Sequence, residues 1–393
     1  MAFDPELATQ AYMATLKGAA RAKSDAYFEG GYWLILWDFL VTVVANLIVL
    51  RLGWAAGLSR WARSKAGPAL AALLFAVPYI LLVTLITAPF TIYTEFVREH
   101  AYGLSNQSFG EWAGEAAIAV AINTVLAGLL WMGVHAVIRR WPRGWWAGGT
   151  VLTVLVAMAT ITLAPLYIEP LFNTYTPLPD GPVKTEVLKM ARANGVPADN
   201  VYLVDASRQS DRISANVAGL FGTTRIALND NLLKQDINEI KAVMAHELGH
   251  YVLNHVWKLL IVFTLLTAIS FGIIGLAAPW LLARHGPGWG ITGMADPAVL
   301  PVLVIIFAVP SLLSTPIGSS VIRVNEQEAD MFGLNTARAP DGFARIAMKL
   351  SQYRKIEPGP WEEIIFFDHP SGHTRVSNAM RWKAEHLGEP DVR

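Results

Sequence analysis

The chain has 393 residues, of which 53% are hydrophobic and 16% charged, and its formal net charge is zero. Soluble domains carry about 25% charged residues, so this composition indicates a membrane protein. No basic run stands out, so we expect no nucleic-acid partner. The chain has no cysteine, which excludes disulfides, thiolate metal ligands and a cysteine nucleophile.

The first 30 residues are polar and contain both acidic and basic side chains. They lack the apolar core of a signal peptide, so a surface amphipathic helix is expected there. Six later windows are long and apolar enough to cross a bilayer, which takes about 20 residues. These predicted spans are residues 31–50, 68–93, 112–138, 145–168, 257–282 and 297–322.

The spans divide the chain into four predicted segments. Residues 1–168 form an N-terminal membrane domain with four spans after the surface segment. Residues 169–256 form a catalytic α/β segment, 257–322 two further transmembrane helices, and 323–393 a second catalytic segment. The fold class is therefore a mainly α-helical, polytopic membrane protein with a small α/β domain at the membrane boundary.

Within the first polar segment, residues 183–194 have helical apolar spacing before a glycine. Residues 200–204 and 223–228 have the composition of strands. Residues 236–255 then form a predicted helix that runs almost directly into the fifth span. That helix is expected to lie at the membrane boundary.

The predicted helix carries His246-Glu247-Leu248-Gly249-His250, an H-E-x-x-H pattern. Side chains four residues apart lie on one helix face, so His246 and His250 can bind one metal ion. Glu247 can then serve as a general base for a hydrolytic zinc centre. By itself the pattern also fits a surface helix with two histidines and a solvated glutamate.

A third metal ligand is expected from another part of the chain. Glu326 and Asp330 lie just beyond the sixth span and are four residues apart, on one helix face. Glu326 can complete a His/His/Glu set, and Asp330 can bind the far nitrogen of a ligating histidine. Glu328 points to a different face and is a weaker candidate for the third ligand. A solvated charged helix end is the alternative.

These motifs resemble those of the M48 metalloproteases, and specifically of the Ste24-type CAAX prenyl proteases. The segment 171–178 is similar to the family's segment before the catalytic domain, and 226–233 resembles its strand-to-helix connection. His255 matches a further histidine of the family. The resemblance covers residues 165–385, and two spans follow the H-E-x-x-H helix as in the family.

The resemblance implies the roles of particular residues. It makes His246, His250 and Glu326 the ligands of one zinc ion, Glu247 the general base, and Asp330 a partner of a ligand. It also implies that His369 and Arg375 contact the substrate backbone or the oxyanion, and that Asn216 and Gly219 lie on a substrate-binding strand. In this chain Val217 and Ala218 replace the family's usual pair after the asparagine.

The resemblance further implies a chamber enclosed by seven transmembrane helices, whereas the sequence predicts six. The family's first span is missing here or is reduced to residues 1–30. A cytoplasmic catalytic side is also implied. Basic residues near the span ends do not decide the orientation, because eight lie on one side and seven on the other.

The sequence thus predicts a membrane-embedded zinc endopeptidase that cleaves C-terminal peptides of prenylated or hydrophobic substrates. One alternative is an HtpX-like metalloprotease that degrades misfolded membrane proteins. Another is a non-catalytic membrane scaffold or transporter with a degenerate metal site. Intramembrane-cleaving zinc proteases place the same motif inside an apolar span, and the helix around residues 241–255 is too polar for that.

Overall fold

The computed structural model describes residues 3–219, 223–390 and 392. Among these residues, six long apolar helices can cross a membrane, which confirms the predicted number of spans. They are α2 (Gly18–Arg51), α4 (Pro68–Ile92), α6 (Phe109–Arg140), α7 (Trp145–Leu163), α11 (His255–Trp289) and α12 (Leu300–Ala337). Shorter helices between the first spans are α3 (Trp54–Lys65) and α5 (Arg98–Ala101).

Most of the membrane helices extend beyond the apolar windows on the side of the polar segments. Two of them continue as π-helical turns, Tyr93–Val97 after α4 and Ala164–Ile168 after α7. The longest, α12, runs unbroken through the predicted boundary after residue 322 and carries Glu326 and Asp330 in its last turns. The apolar membrane helix and the segment that carries Glu326 and Asp330 are therefore one continuous helix.

The N-terminal residues pack on protein. Helix α1 (Pro5–Met13) begins at Asp4, whose side chain accepts hydrogen bonds from two backbone N–H groups. Met13 and Leu16 are buried in a cluster with Phe343 and Trp382 of the C-terminal segment. The segment predicted as a surface helix thus contains the short helix α1, one side of which is covered by the C-terminal segment, whereas residues 18–30 belong to the membrane helix α2. Among the described residues, no span precedes Gly18.

Two cavities lie between the membrane helices. One of about 490 Å³ is lined by α2 and α12 and includes the carboxylate residue Asp38. The other, about 380 Å³ and almost wholly apolar, is lined by α4, α6, α7, α11 and α12. Val304 and Phe307 line both cavities, so α12 lies between them, and of the two linings only that of the first includes a charged residue.

The polar segments fold around a four-stranded sheet. Its strands are β1 (Tyr175–Pro177), β2 (Val201–Val204), β3 (Ala215–Ala218) and β4 (Arg225–Asn229), in the order β1-β2-β4-β3. The two predicted strands, β2 and β4, are confirmed as the parallel central pair. The residue pattern predicted neither edge strand, because segments of three and four residues give almost no alternating pattern; β3 was expected only from the family resemblance, which places Asn216 on a strand.

Helices cover the sheet and connect it to the membrane. They are α8 (Pro182–Ala193), α9 (Asp230–Leu233), α10 (Ile237–Val252), α13 (Pro340–Leu350), α14 (Pro360–Phe366) and α15 (Gly372–Glu385). The helices predicted over 183–194 and 236–255 correspond to α8 and α10. Ile226, Leu228, Ile240, Met244 and Leu248 are fully buried between the sheet and α10.

Local sequence defines both ends of α10. The side chain of Asp236 caps its start by accepting a hydrogen bond from the N–H of Asn238 at 2.9 Å. Asn254 ends the helix in the left-handed region, with φ 58°. Asparagine tolerates that conformation better than most residues. The chain can therefore turn within two residues and enter α11 at His255.

Small residues let α10 and α12 pack closely. A Cβ atom on Gly249 of α10 would lie 3.2 Å from Cα of Ala329, and one on Gly333 of α12 would lie 3.1 Å from the backbone nitrogen of His246. Both distances are tight for a side chain. Because Gly249 and Gly333 have no side chains, Glu326 and Asp330 can pack against the face of α10 that carries His246 and His250.

Candidate metal centre

Three side chains that the sequence marked as metal ligands converge on one point. The Nε2 atoms of His246 and His250 are 3.0 Å apart. The Glu326 carboxylate lies 3.2 Å from Nε2 of His246 through Oε2, and 3.3 Å from Nε2 of His250 through Oε1. Ligand atoms bound about 2.0–2.1 Å from a tetrahedral zinc ion are separated by roughly 3.3 Å. The spacing of the donors fits such an ion.

The chemistry of the donors supports the same interpretation. His246 and Glu326 are buried, and Oε2 of Glu326 has no hydrogen bond of acceptable geometry. A buried carboxylate oxygen without a hydrogen bond is costly unless a cation compensates it. Two imidazoles and one carboxylate are also a known ligand set of catalytic zinc.

Asp330 supports His246 from behind. Its Oδ1 lies 2.8 Å from Nδ1 of His246, close enough for an ion pair although outside hydrogen-bond geometry. Burial would lower the pKa of His246, but the carboxylates of Asp330 and Glu326 outweigh burial and raise that pKa to about 10. Metal binding at this ring must therefore displace a proton, and the metal affinity falls as the pH falls.

His250 is supported by a relay of its own. Its Nδ1 lies 2.8 Å from Nδ1 of His255, and Nε2 of His255 lies 3.0 Å from Oε2 of Glu328. If Nε2 of His250 binds a metal, its Nδ1–H donates to His255, which in turn donates to Glu328. Lys258 also contacts this carboxylate. Sequence reasoning noted His255 and set Glu328 aside as a ligand; only the fold makes the two a pair.

Glu247 points into the cavity beside the metal ligands. This cavity, of about 180 Å³, is lined by Glu247, His246, Glu326 and His369 together with apolar side chains. Burial raises the pKa of the Glu247 carboxyl. A carboxylate with a raised pKa is a stronger base and can accept a proton at neutral pH.

His369 reaches the same place from the C-terminal segment. Its Nδ1 lies 2.8 Å from Oδ1 of Asp368, and its Nε2 lies 3.3 Å from Oε2 of Glu326. Burial would raise the pKa of Asp368, but the contact with His369 outweighs burial and lowers it. The ionised carboxylate orients the imidazole, so its Nε2 faces the metal ligands.

Arg375 lines the cavity but is engaged elsewhere. Its guanidinium donates through Nε to Oδ2 of Asp330 at 2.9 Å and through Nη2 to Oδ1 of the same carboxylate. Arg375, Asp330 and His246 therefore form one buried chain of contacts. This geometry gives Arg375 a role in fixing Asp330, and its contact with substrate stays a prediction.

The two residues predicted to bind substrate lie on and after the edge strand β3. Oδ1 of Asn216 is buried and makes no hydrogen bond with any described residue. Ser214 and Ala215, just before it, line the cavity. Gly219 has φ 111°, and a Cβ atom there would clash with the carbonyl oxygen of Thr223. Its backbone conformation thus requires glycine, whatever its contact with substrate.

Sequence reasoning missed one basic side chain of the cavity. Arg354 lies directly after the 3-10 turn Ser351–Tyr353 and lines the cavity wall. Its Nη2 is 3.5 Å from Nε2 of His369. No motif or spacing in the sequence distinguishes Arg354 from other arginines of the C-terminal segment.

Two family models match the chain. The model described as "Peptidase family M48" matches residues 177–383. The model described as "CAAX prenyl protease N-terminal, five membrane helices" matches residues 9–174. The described part of this second region has four spans and the short helix α1.

Individual proteins are similar over most of the chain. An "Uncharacterized metalloprotease YhfN" of Bacillus subtilis is 30% identical over 78% of this chain and 73% of its own length. A "CAAX prenyl protease 1 homolog" of rice is 28% identical over 74% of this chain and 68% of its own. The crystal structure of S. mikatae Ste24p superposes with a TM-score of 0.76 and 21% identity, covering 96% of this chain and 94% of that one.

Proposed function

Because the chain is a membrane-embedded metalloprotease that belongs to peptidase family M48, we propose that its metal is zinc and that it cleaves peptides carrying a prenyl or other hydrophobic group. The observation that carries this proposal is the convergence of His246, His250 and Glu326 within 3.3 Å of one another, beside the free carboxylate of Glu247. We assign the three converging residues as the ligands of one zinc ion per chain.

A zinc ion in this site would supply a Lewis acid and an acidified water molecule for attack on the scissile carbonyl. The Glu247 carboxylate accepts the proton of the attacking water and then delivers it to the leaving amine. His369, held by Asp368, donates from Nε2 to the oxygen that becomes negative in the transition state.

The edge of the sheet gives a way to hold a peptide. The outer edge of β3 is not paired with any described strand, because β3 is last in the sheet order. An extended peptide can add to such an edge through backbone hydrogen bonds. The unpaired Oδ1 of Asn216 can then accept a hydrogen bond from a substrate N–H.

Support for a hydrophobic substrate comes from the position of the site and from the relatives. Helix α10 is followed within two residues by the membrane helix α11, so the metal ligands lie at the end of the spans. Relatives of this chain in rice and yeast are CAAX prenyl proteases by name. A substrate can thus keep its apolar group among the membrane helices while its peptide reaches the metal.

Replacing Glu247 by glutamine tests the mechanism. Glu247→Gln should keep zinc at about one ion per chain and lose peptide cleavage by at least about 100-fold, because general-base catalysis typically contributes 10²–10⁴-fold. Metal analysis and a fluorogenic peptide assay measure the two effects. Activity retained by a clean preparation of this variant would contradict the assignment.

Matched substrates test the specificity. We expect the purified, zinc-loaded protein to cleave a farnesylated CAAX peptide more efficiently than the same peptide without the prenyl group. Cleavage of unprenylated, misfolded membrane proteins with no cleavage of the farnesylated peptide would instead support a quality-control protease.

We also propose that the catalytic side faces the cytoplasm, as the family resemblance implies. Residues 169–256 should then be cut by added protease in inverted vesicles and protected in right-side-out ones. The opposite pattern of protection would reverse the orientation.

A further inference from the structure

The cavity beside the metal ligands contains two arginines in different states. The Arg375 guanidinium is neutralised by the buried carboxylate of Asp330. Arg354 forms no ion pair with any carboxylate among the residues that the structure describes; its one polar side-chain contact there is with His369 at 3.5 Å. Arg354 is therefore the cavity's cation without a directly paired carboxylate, and the more distant charges of Asp368 and Glu326 offset only part of its burial.

The protein holds this cation in a costly environment. Burial lowers the pKa of the Arg354 guanidinium, and the nearby Arg375 lowers it further. An unpaired cation that is partly removed from water destabilises the fold. A ligand that brings a negative charge into the cavity would offset this cost.

The backbone at Arg354 is firmly placed. Ser24, in the part of α2 that extends beyond the membrane, donates its hydroxyl to the carbonyl oxygen of Ser351 at 2.7 Å and to that of Arg354 at 3.1 Å. Lys355 bonds to Glu29 of the same helix at 2.7 Å. These contacts fix the backbone that carries the cation before any ligand arrives.

The surroundings define the group that fits. Val243, Phe343, Ile346 and Leu350 line the cavity on its apolar side. A ligand that matches this lining has apolar side chains followed by one negative group. His369 already lies next to Glu326, at 3.3 Å, so the oxyanion has a donor nearer to the metal than Arg354.

We propose that Arg354 is the side chain that binds the free C-terminal carboxylate of the substrate. This inference rests on the proposed function and adds a specificity determinant to it. Nε2 of His369 lies between the two residues, 3.5 Å from Nη2 of Arg354 and 3.3 Å from Oε2 of the metal ligand Glu326. An extended peptide advances about 3.3–3.6 Å per residue, so a carboxylate bound at Arg354 lies about two residues from Glu326.

The test compares three farnesylated peptides with the same apolar C-terminal residues. One ends in a free carboxylate, one in an amide, and one in an amide after an added glutamate. Wild type should cleave the acid about 10- to 100-fold more efficiently than the plain amide, as kcat/KM, with most of the difference in KM. The peptide with the added glutamate should be cleaved less efficiently than the peptide with a free C-terminal carboxylate. Equal efficiency would mean that Arg354 binds a side-chain carboxylate instead.

In Arg354→Gln, the ratio of acid to amide efficiency should fall to within about threefold of unity, and Arg354→Lys should keep part of it, since lysine supplies the charge without the planar fork. The matched control is Arg381→Gln, an exposed arginine on α15, which should keep the wild-type ratio. The melting temperature of Arg354→Gln should equal or exceed that of wild type.

Three results with Arg354→Gln would overturn the proposal. An equal fall in kcat for acid and amide would make Arg354 an oxyanion donor. An unchanged ratio in Arg354→Gln would remove any role in recognition, and a clearly lowered melting temperature would indicate a structural role. If wild type cleaves none of the peptides, the proposed function fails; if it cleaves acid and amide equally, only the role of Arg354 fails.

Discussion

Each imidazole of the metal centre is held from behind by a different acidic residue. His246 faces Asp330, which Arg375 neutralises, and His250 faces His255, which Glu328 orients. Such partners fix the ring that binds the metal and raise its basicity. The acidic partners lie four and two residues from Glu326 on the same helix, so one segment provides a ligand and both supports.

Removing the charge of Asp330 alone should destabilise the protein more than removing the charges of both Asp330 and Arg375. Asp330→Asn leaves the buried Arg375 without its counter-charge, and we expect a loss of about 3–5 kcal/mol of stability. The double variant Asp330→Asn/Arg375→Met should recover part of that loss, because no unpaired cation remains. Thermal unfolding of the zinc-free proteins measures both. A double variant less stable than the single one would contradict the pairing.

Removing the relay behind His250 should weaken zinc binding. His255→Phe keeps the ring volume and deletes the contacts with His250 and Glu328, so the zinc affinity should fall about 10- to 100-fold. Competition with a chelator measures the affinity. His386→Phe is the matched control, because His386 stacks on Trp382 at the end of α15. Equal affinity in His255→Phe and wild type would show that the relay does not tune the metal.

The site exists because two helices approach closely. Helix α10 carries the paired histidines and α12 carries the acidic residues, and Gly249 and Gly333 lie where the two backbones meet. Interiors at this density do not accommodate an added methyl group without movement. The spacing of the ligands is therefore set by packing between helices rather than by either helix alone.

One methyl group at this contact should disturb the metal centre. A Cβ atom on residue 333 would lie 3.1 Å from the nitrogen and 3.3 Å from Cα of His246, so Gly333→Ala should push α12 away from α10. We expect about 1–3 kcal/mol of destabilisation and a weaker zinc affinity. Gly318→Ala, on the same helix, is the control, because its nearest contact would be 3.9 Å, to Phe263. Equal zinc affinities in the two variants would rule out this packing constraint.

Two membrane crossings separate the two halves of the site. The chain leaves α10, crosses as α11 and returns as α12, and these two helices pack together on the way. The first helix of the bundle, α2, extends out to hold the segment around Arg354. The membrane domain therefore positions the catalytic groups as well as anchoring them.

A metal bound between α10 and α12 should stabilise the whole protein. Removing zinc with a chelator should lower the melting temperature by several degrees, since a ligand at 1,000 times its Kd contributes about 4 kcal/mol. Glu326→Gln, which lacks a charged ligand, should show a much smaller chelator-dependent shift. An equal shift in both proteins would place the stabilising metal elsewhere.

Much of the architecture could be predicted because its signals are local. A bilayer demands long apolar runs, and all six predicted spans correspond to helices. The face shared by His246 and His250 follows from helix geometry alone, as does the face shared by Glu326 and Asp330. The residue pattern did not predict the short edge strands β1 and β3, because their few residues form strands only where β2 and β4 offer a partner; β3 was expected from the family resemblance alone.

The sequence by itself determined the membrane class, the helices and the residue types that can bind a metal, since composition and periodicity act within single elements. Only the tertiary structure decided which charges meet. Arg375 pairs with Asp330 and His255 with Glu328, whereas Arg354 has no carboxylate partner among the described residues and lies beside His369. The pairing of a buried charge depends on the nearest opposite charge in space, and here that neighbour is set by the packing of helices that are distant in the chain.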